Sequence, residues 1–218
     1  MPENPVPKQR LRAPSQRSLE NRARILDAAE TLFAREGFSG ATIRDIARAA
    51  DVPVGLVHHH GGGKEALFRE VVGRRAEELS TLRLAALDAA RARGPLTLAA
   101  LFDCFFRPYL DKAAGGDPQW LAYARLVAIV SADPAWADIS RDLFDPTAHR
   151  FITEIGALYP DAPPARVAEA FIYSVAAMLA LLTSQWRVAA LAGDPGAGPS
   201  LDGLIAFCAA GCAARLGA

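Results

Sequence analysis

Three cysteines in 218 residues, an odd number with none at a zinc-type spacing, exclude a disulfide framework and a structural metal site. Strand patterns are missing as well: β-branched residues are scattered, and no alternating run of useful length appears. Neither sign of charge is in excess, with 24 Lys and Arg against 24 Asp and Glu. The first 15 residues are polar, carry Pro2, Pro5, Pro7 and Pro14, and lack an apolar stretch that could act as a secretory signal. These absences lead to an all-α protein of the reducing cytoplasm, with no cofactor, metal or catalytic group expected.

A convincing membrane span is also lacking. Residues 170–186 are uncharged, about the shortest length that crosses a bilayer, but they are interrupted by Tyr173, Ser174, Thr183, Ser184 and Gln185. No Lys/Arg cluster flanks either end to set a topology. The stretch reads as a buried helix, and no membrane partner is expected.

What is present is enough apolar residue, 51% of the chain, to build a substantial core. Apolar positions recur at spacings of three and four, and breakers at 37–40, 51–53, 61–63, 94–95, 115–118, 133–134, 160–164 and 193–199 divide the chain into about nine helices. The balanced charge conceals an asymmetry. Residues 1–64 hold 10 Lys/Arg against 7 Asp/Glu, and within 8–24 the cations Lys8, Arg10, Arg12, Arg17, Arg22 and Arg24 face only Glu20. A basic front of this kind suits a polyanion.

The front also carries a specific helical pattern. Residues 18–36 place Ile25, Ala28, Ala29, Leu32 and Phe33 on one stripe and end at Gly37, a suitable left-handed residue. Thr42 N-caps a second helix through Ile43, Ile46, Ala47 and Ala50, with Asp45 in the position of a capping box. A third helix spans 53–60, with Pro53 in its first turn. Ala50, Asp51 and Val52 join the two short helices, Asp51 standing where the turn needs a left-handed residue. Two short helices behind a longer amphipathic one form a helix-turn-helix pattern.

The residues themselves sharpen this. RILDAAETLFAREGF at 24–38, ATIRDIARAADV at 41–52, GLVHHH at 55–60 and KEALF at 64–68 closely resemble the DNA-binding domain of TetR-family transcriptional regulators, in unbroken order over about 50 residues. The resemblance implies a homodimer that puts its third helix into the major groove of a double-stranded operator, and a variable C-terminal domain that binds a small-molecule effector. It divides the chain into a flexible basic arm at 1–17, a helix-turn-helix domain at 18–68 and a helical ligand-binding and dimerisation domain at 69–218. Carried over by position, Thr42 and Arg44 reach phosphate, or for Arg44 a base edge. Pro53, Val54, Gly55 and Leu56 open the recognition helix, where aliphatic groups can touch thymine methyls. His58, in place of the usual Tyr, and His59 would bond phosphate through imidazole, and Lys64 would add its charge at the start of the fourth helix. Gly61 departs from the pattern, because a Phe usually plugs this junction; on that ground Gly61→Phe should stabilise the head.

Other readings of these residues are weaker. Consecutive helical residues diverge by about 100°, so His58, His59 and His60 cannot converge on one ion. Gly63-Lys64 mimics the end of a phosphate loop, but His58 stands in place of its first Gly and Glu65 in place of its Ser/Thr. Cys208 and Cys212, at i and i+4, allow a redox-sensing regulator, and His149, Glu154, Asp145 and Asp142 a small-molecule-processing helical enzyme without a nucleophile motif.

The back half is rich in aromatics that can wall an apolar cavity. Phe102, Phe105, Phe106, Tyr109, Trp120, Tyr123, Val127, His149 and Met178 are the candidate effector contacts, with Arg125, His149 and Gln185 as polar points. The last two helices, 165–191 and 201–216, are apolar around most of their circumference, which fits a four-helix homodimer interface.

Overall fold

The structure is a computed structural model and describes residues 15–217. The cations Lys8, Arg10 and Arg12 of the basic arm lie outside the described residues, and Gln16 and Arg17 already belong to the first helix.

The fold is all-α. Helix α1 (Gln16–Gly40) is followed by α2 (Ile43–Ala49), α3 (Val54–Gly61) and the long α4 (Lys64–Arg93). The remainder is α5 (Leu98–Ala114), α6 (Pro118–Ala132), a short α7 (Ala137–Ile139), α8 (Asp145–Leu158), α9 (Pro164–Thr183), α10 (Gln185–Ala192) and α11 (Leu201–Leu216), with a π turn (Ser140–Phe144) between α7 and α8. Among the described residues ten helices reach seven residues or more, one above the sequence expectation. The extra helix arises because 165–191 is not continuous. Thr183 turns its hydroxyl back to the Leu179 carbonyl at 2.8 Å, and Ser184 leaves the helical region at φ −129°, ψ 24°.

Local chemistry sets the boundaries. The Thr42 hydroxyl accepts from the Asp45 amide at 3.1 Å and donates to the Asp45 carboxylate, an N-cap reinforced by a side-chain bond in place of the reciprocal backbone bond of a capping box. The side chains of Thr97, Asp117 and Ser200 accept from the amides of Ala100, Gln119 and Gly203 and so cap α5, α6 and α11. Asp51 has φ 52°, the one positive value outside glycine among the described residues. Gly37 also has positive φ, but its ψ of 173° extends the chain instead of forming a left-handed cap. Pro53 is the cap before α3, one position earlier than its sequence placement.

Two aromatic clusters organise the core. In the head, Phe33 meets Phe68 edge-on at 5.1 Å, and Trp136 closes on Phe38 and Phe68 at 4.8 and 4.7 Å. In the body, Phe105 contacts Phe151 and Phe171 at 5.0 and 5.1 Å. Helix α4 joins the two, so the boundary drawn at residue 68 falls inside one continuous helix. Helix α9 is long and apolar enough to cross a membrane by length and composition alone. One of its faces is in the core through Val167, Ala170, Phe171, Ser174, Met178, Leu179 and Leu182; the other exposes Ile172 and Tyr173, so it is not buried all round.

Candidate nucleic-acid interface and ligand cavity

Helix α3 is held by one side. Val57 and Gly61 are buried, and Val57 anchors the helix among α1, α2 and α4. With about 100° between successive residues, Gly55 and His59 fall on the opposite side and His58 on its flank, while Val54 stands in the first turn, and all four are exposed. Leu56 is half-buried at the edge of this face, and Pro53, Thr42 and Arg44 are exposed beside it. Lys64 donates to the Ser39 carbonyl at 3.3 Å and lies 4.7 Å over the Phe38 ring, which fixes the start of α4 next to the loop that leads to Thr42. Of the sequence-predicted nucleic-acid residues, Thr42, Arg44, Pro53, Val54, Gly55, His58 and His59 are exposed, and Leu56 and Lys64 are half-buried. Arg24, 3.9 Å from Asp51 of the turn, extends the basic surface.

At Gly61 the structure argues against the expected benefit of a Phe. A Cβ there would stand 3.0 Å from Leu67 Cδ1 and 3.2 Å from Leu67 Cβ, and Leu67 is completely buried. The space beside Gly61 is already filled.

Head and body are locked by a buried ion pair. Glu30 of α1 accepts from Arg75 Nε of α4 at 2.6 Å, with the two side chains 1% and 8% exposed. Arg75 also lies 3.6 Å from Asp117 and 4.8 Å over the Trp120 ring. Burial pushes the Glu30 carboxyl up to about 7 against the pull of Arg75, consistent with its second oxygen being buried without a partner.

The body contains a cavity of about 260 Å³ between α4, α5, α6, the π turn, α8 and α9. Of the sequence-predicted effector contacts, Phe105, Tyr109, Tyr123, Val127 and Met178 line it. Phe102, Phe106 and Trp120 are instead buried in the surrounding core, and His149 is exposed on α8. Arg125 and Gln185 are exposed outside the lining. The cavity's central polar group is Arg83, which sequence reasoning did not select. A larger groove of about 800 Å³ along α1 and α4 is open and lined by Arg22, Arg74, Glu70, Glu77 and Asp142, so it desolvates a small molecule poorly.

The π turn connects cavity and head. Ser140, Leu143 and Phe144 contribute to the cavity wall, while Arg69, in the second turn of α4, pairs with Asp138 and Asp142 of the same region. Among the described residues no group of His, Cys, Asp and Glu is arranged to hold a metal ion. Cys104, Cys208 and Cys212 are buried, and burial raises all three thiols, which disfavours the thiolate that redox sensing needs.

Comparisons with known proteins agree with this architecture. Residues 25–71 match the family described as "Bacterial regulatory proteins, tetR family", and residues 103–211 match the "Tetracyclin repressor-like, C-terminal domain". The HTH-type transcriptional regulator BetI of Burkholderia thailandensis is 29% identical over 187 residues, covering 80% of this chain and 84% of that protein. The HTH-type transcriptional repressor KstR2 of Rhodococcus jostii is 43% identical over 51 residues, 23% of this chain and 25% of the repressor. In fold, a bacterial regulatory protein in the tetR family from Rhodococcus RHA1 superposes with a TM-score of 0.60 at 20% identity, over 93% of this chain and 98% of that one.

Proposed function

The chain belongs to the TetR family of bacterial regulators, and from that premise we propose that it is a repressor that grips a partly palindromic operator as a homodimer and releases it when a small molecule fills the body cavity. The family is one of ligand-responsive DNA-binding regulators rather than enzymes.

The observation that carries the reading is the exposed face of α3. Gly55, His58 and His59 project from a helix that Val57 anchors on its other side, Val54 is exposed in its first turn, and Thr42 and Lys64 stand at the starts of the helices before and after it. Such a helix can enter the major groove while the flanking groups hold phosphates. Two heads about 34 Å apart would meet successive turns of the duplex. Selection of bound sequences from a random DNA pool tests this directly, and an enriched palindrome is the expected result. Lys64→Ala should weaken operator and random DNA alike and lower the salt slope by about 1, whereas Val54→Ala should change base preference at one or two positions. Equal effects of both variants on specific and random DNA would remove the assigned roles.

Dimerisation through α9 and α11 is supported by apolar side chains left in solvent. Ile172, Tyr173 and Phe207 are 60%, 62% and 73% exposed on helices that pack against each other within the chain. A second copy would bury them in a four-helix interface. Phe207→Asp is expected to yield a monomer at micromolar concentration by sedimentation velocity with the fold retained, and an unchanged dimer would place the interface elsewhere.

Release is supported by the π turn. An occupant that pushes Leu143 or Phe144 shifts the segment that holds Arg69, and a coupling of about 1–3 kcal/mol suffices for 5- to 150-fold weaker DNA binding.

A further inference from the structure

The cavity presents an arginine without an ion-pair partner to a mostly apolar interior. Arg83 is surrounded by protein, and its remaining surface lines the cavity. Its Nε donates to the Phe105 carbonyl at 2.8 Å and its Nη2 to the Met178 thioether at 3.6 Å, a weak acceptor. Nη1 has no acceptor, and no carboxylate pairs with the guanidinium, among the described residues. The group lies over the Phe105 ring, 3.7 Å from its centre. Desolvation pulls Arg83 down to about 10, so it remains a cation near neutral pH. Tyr123 lines the same cavity within electrostatic reach of Arg83, and its hydroxyl has no hydrogen-bond partner among the described residues. Burial raises the Tyr123 phenol, which keeps it a neutral donor.

Arg75, the buried arginine among the described residues, has Glu30 as its acid partner. A lone cation and an idle phenol facing one small cavity form a receptor for an anion. Taking the chain as a ligand-responsive regulator, we propose that the cavity binds a small apolar carboxylic acid, its carboxylate on Arg83 and Tyr123 and its hydrocarbon portion against Val127, Phe171, Val175 and Met178. A single guanidinium matches a monoanion better than a phosphate ester, which carries about −1.5 to −2. A volume of about 260 Å³ lies just under the roughly 300–1,000 Å³ of drug-sized sites, so the acid is small. A cationic ligand would meet Arg83 on the Phe105 face that it would otherwise use; Asp145, the other charged lining residue, belongs to the first turn of α8 and forms no ion pair with Arg83.

The test uses hexanoate, hexanamide and hexylamine as probes of equal shape, with binding to the full chain read by calorimetry and thermal shift. Hexanoate is expected to bind about tenfold or more tightly than hexanamide, the weight of a charge-assisted hydrogen-bond pair, and hexylamine most weakly. Arg83→Met should erase the preference for hexanoate and leave hexanamide unchanged, without lowering the melting temperature of the free protein, because the charge it removes is unpaired. Tyr123→Phe, which keeps the ring, should weaken hexanoate severalfold. Equal binding of acid and amide would overturn the anion assignment while leaving the cavity as a ligand site, and so would full hexanoate affinity in Arg83→Met. Absence of binding by every probe also overturns it. DNA selection on the same preparation reports on the operator reading separately.

Discussion

Replacing Arg75 by Met is expected to cost about 3–5 kcal/mol of stability at pH 8, a fall in melting temperature of about 6–20 °C, because it strands the Glu30 carboxylate in the core. The cost should shrink toward pH 5, where the carboxyl can protonate and no charge is left unpaired. The wild type carries the same dependence in weaker form. Its folded Glu30 titrates near 7 against an ordinary value of 4.5, so the folded chain binds the extra proton between these limits. The stability this group contributes is therefore fully present below about 4.5 and lost as pH rises through 7, on the order of 3 kcal/mol in all. Glu30→Gln should flatten that slope, and Glu30→Gln combined with Arg75→Met should recover most of the loss. A pH-independent deficit in Arg75→Met would show that Arg75 acts through its contacts with Trp120 and Asp117 alone. The same pair ties α1 to α4 and α6, so the loss extends to the docking of the reading head on the body.

Arg75 and Arg83 show where sequence reasoning reaches its limit. Caps and turns were legible because their chemistry is local: Thr42 with Asp45, Asp51 in the turn and Pro53 before α3 depend on neighbours within a few residues. The outward face of α3 was legible because its motif is specific. The inward arginines of α4 were not, since Arg75 and Arg83 stand among Arg74, Glu77 and Glu78 and nothing in their immediate neighbours sets them apart. A signal was nevertheless present. Phe68, Val72, Arg75, Leu79, Arg83 and Leu87 follow the three-four spacing of one stripe, so both arginines interrupt a core face. A cation in that register must find a partner or a ligand. The aromatic-rich back half located the cavity in part, but aromatic identity does not separate Phe105, which faces it, from Phe102 and Phe106, which fill the core around it; that division depends on how α5 is rotated against α4 and α9.

Gly61→Phe is expected to destabilise the protein by about 1–3 kcal/mol, or about 2–12 °C in melting temperature, although resemblance to the family argues for a gain. The reason is Leu67. Its Cδ1 can rotate away from a new side chain, but its Cβ, 3.2 Å from the position a Cβ at residue 61 would take, moves only with the backbone of α4. Overpacking here would push the end of α3 from the start of α4, where Lys64 meets Ser39, so operator affinity should fall together with stability. Gly61→Phe with Leu67→Ala exchanges one buried group for another and should recover much of both, a positive coupling in a double-mutant cycle. Had the junction merely lost its plug, the single substitution would raise the melting temperature and the second would lower it again. The sign of the first change therefore distinguishes an empty socket from one that Leu67 already occupies.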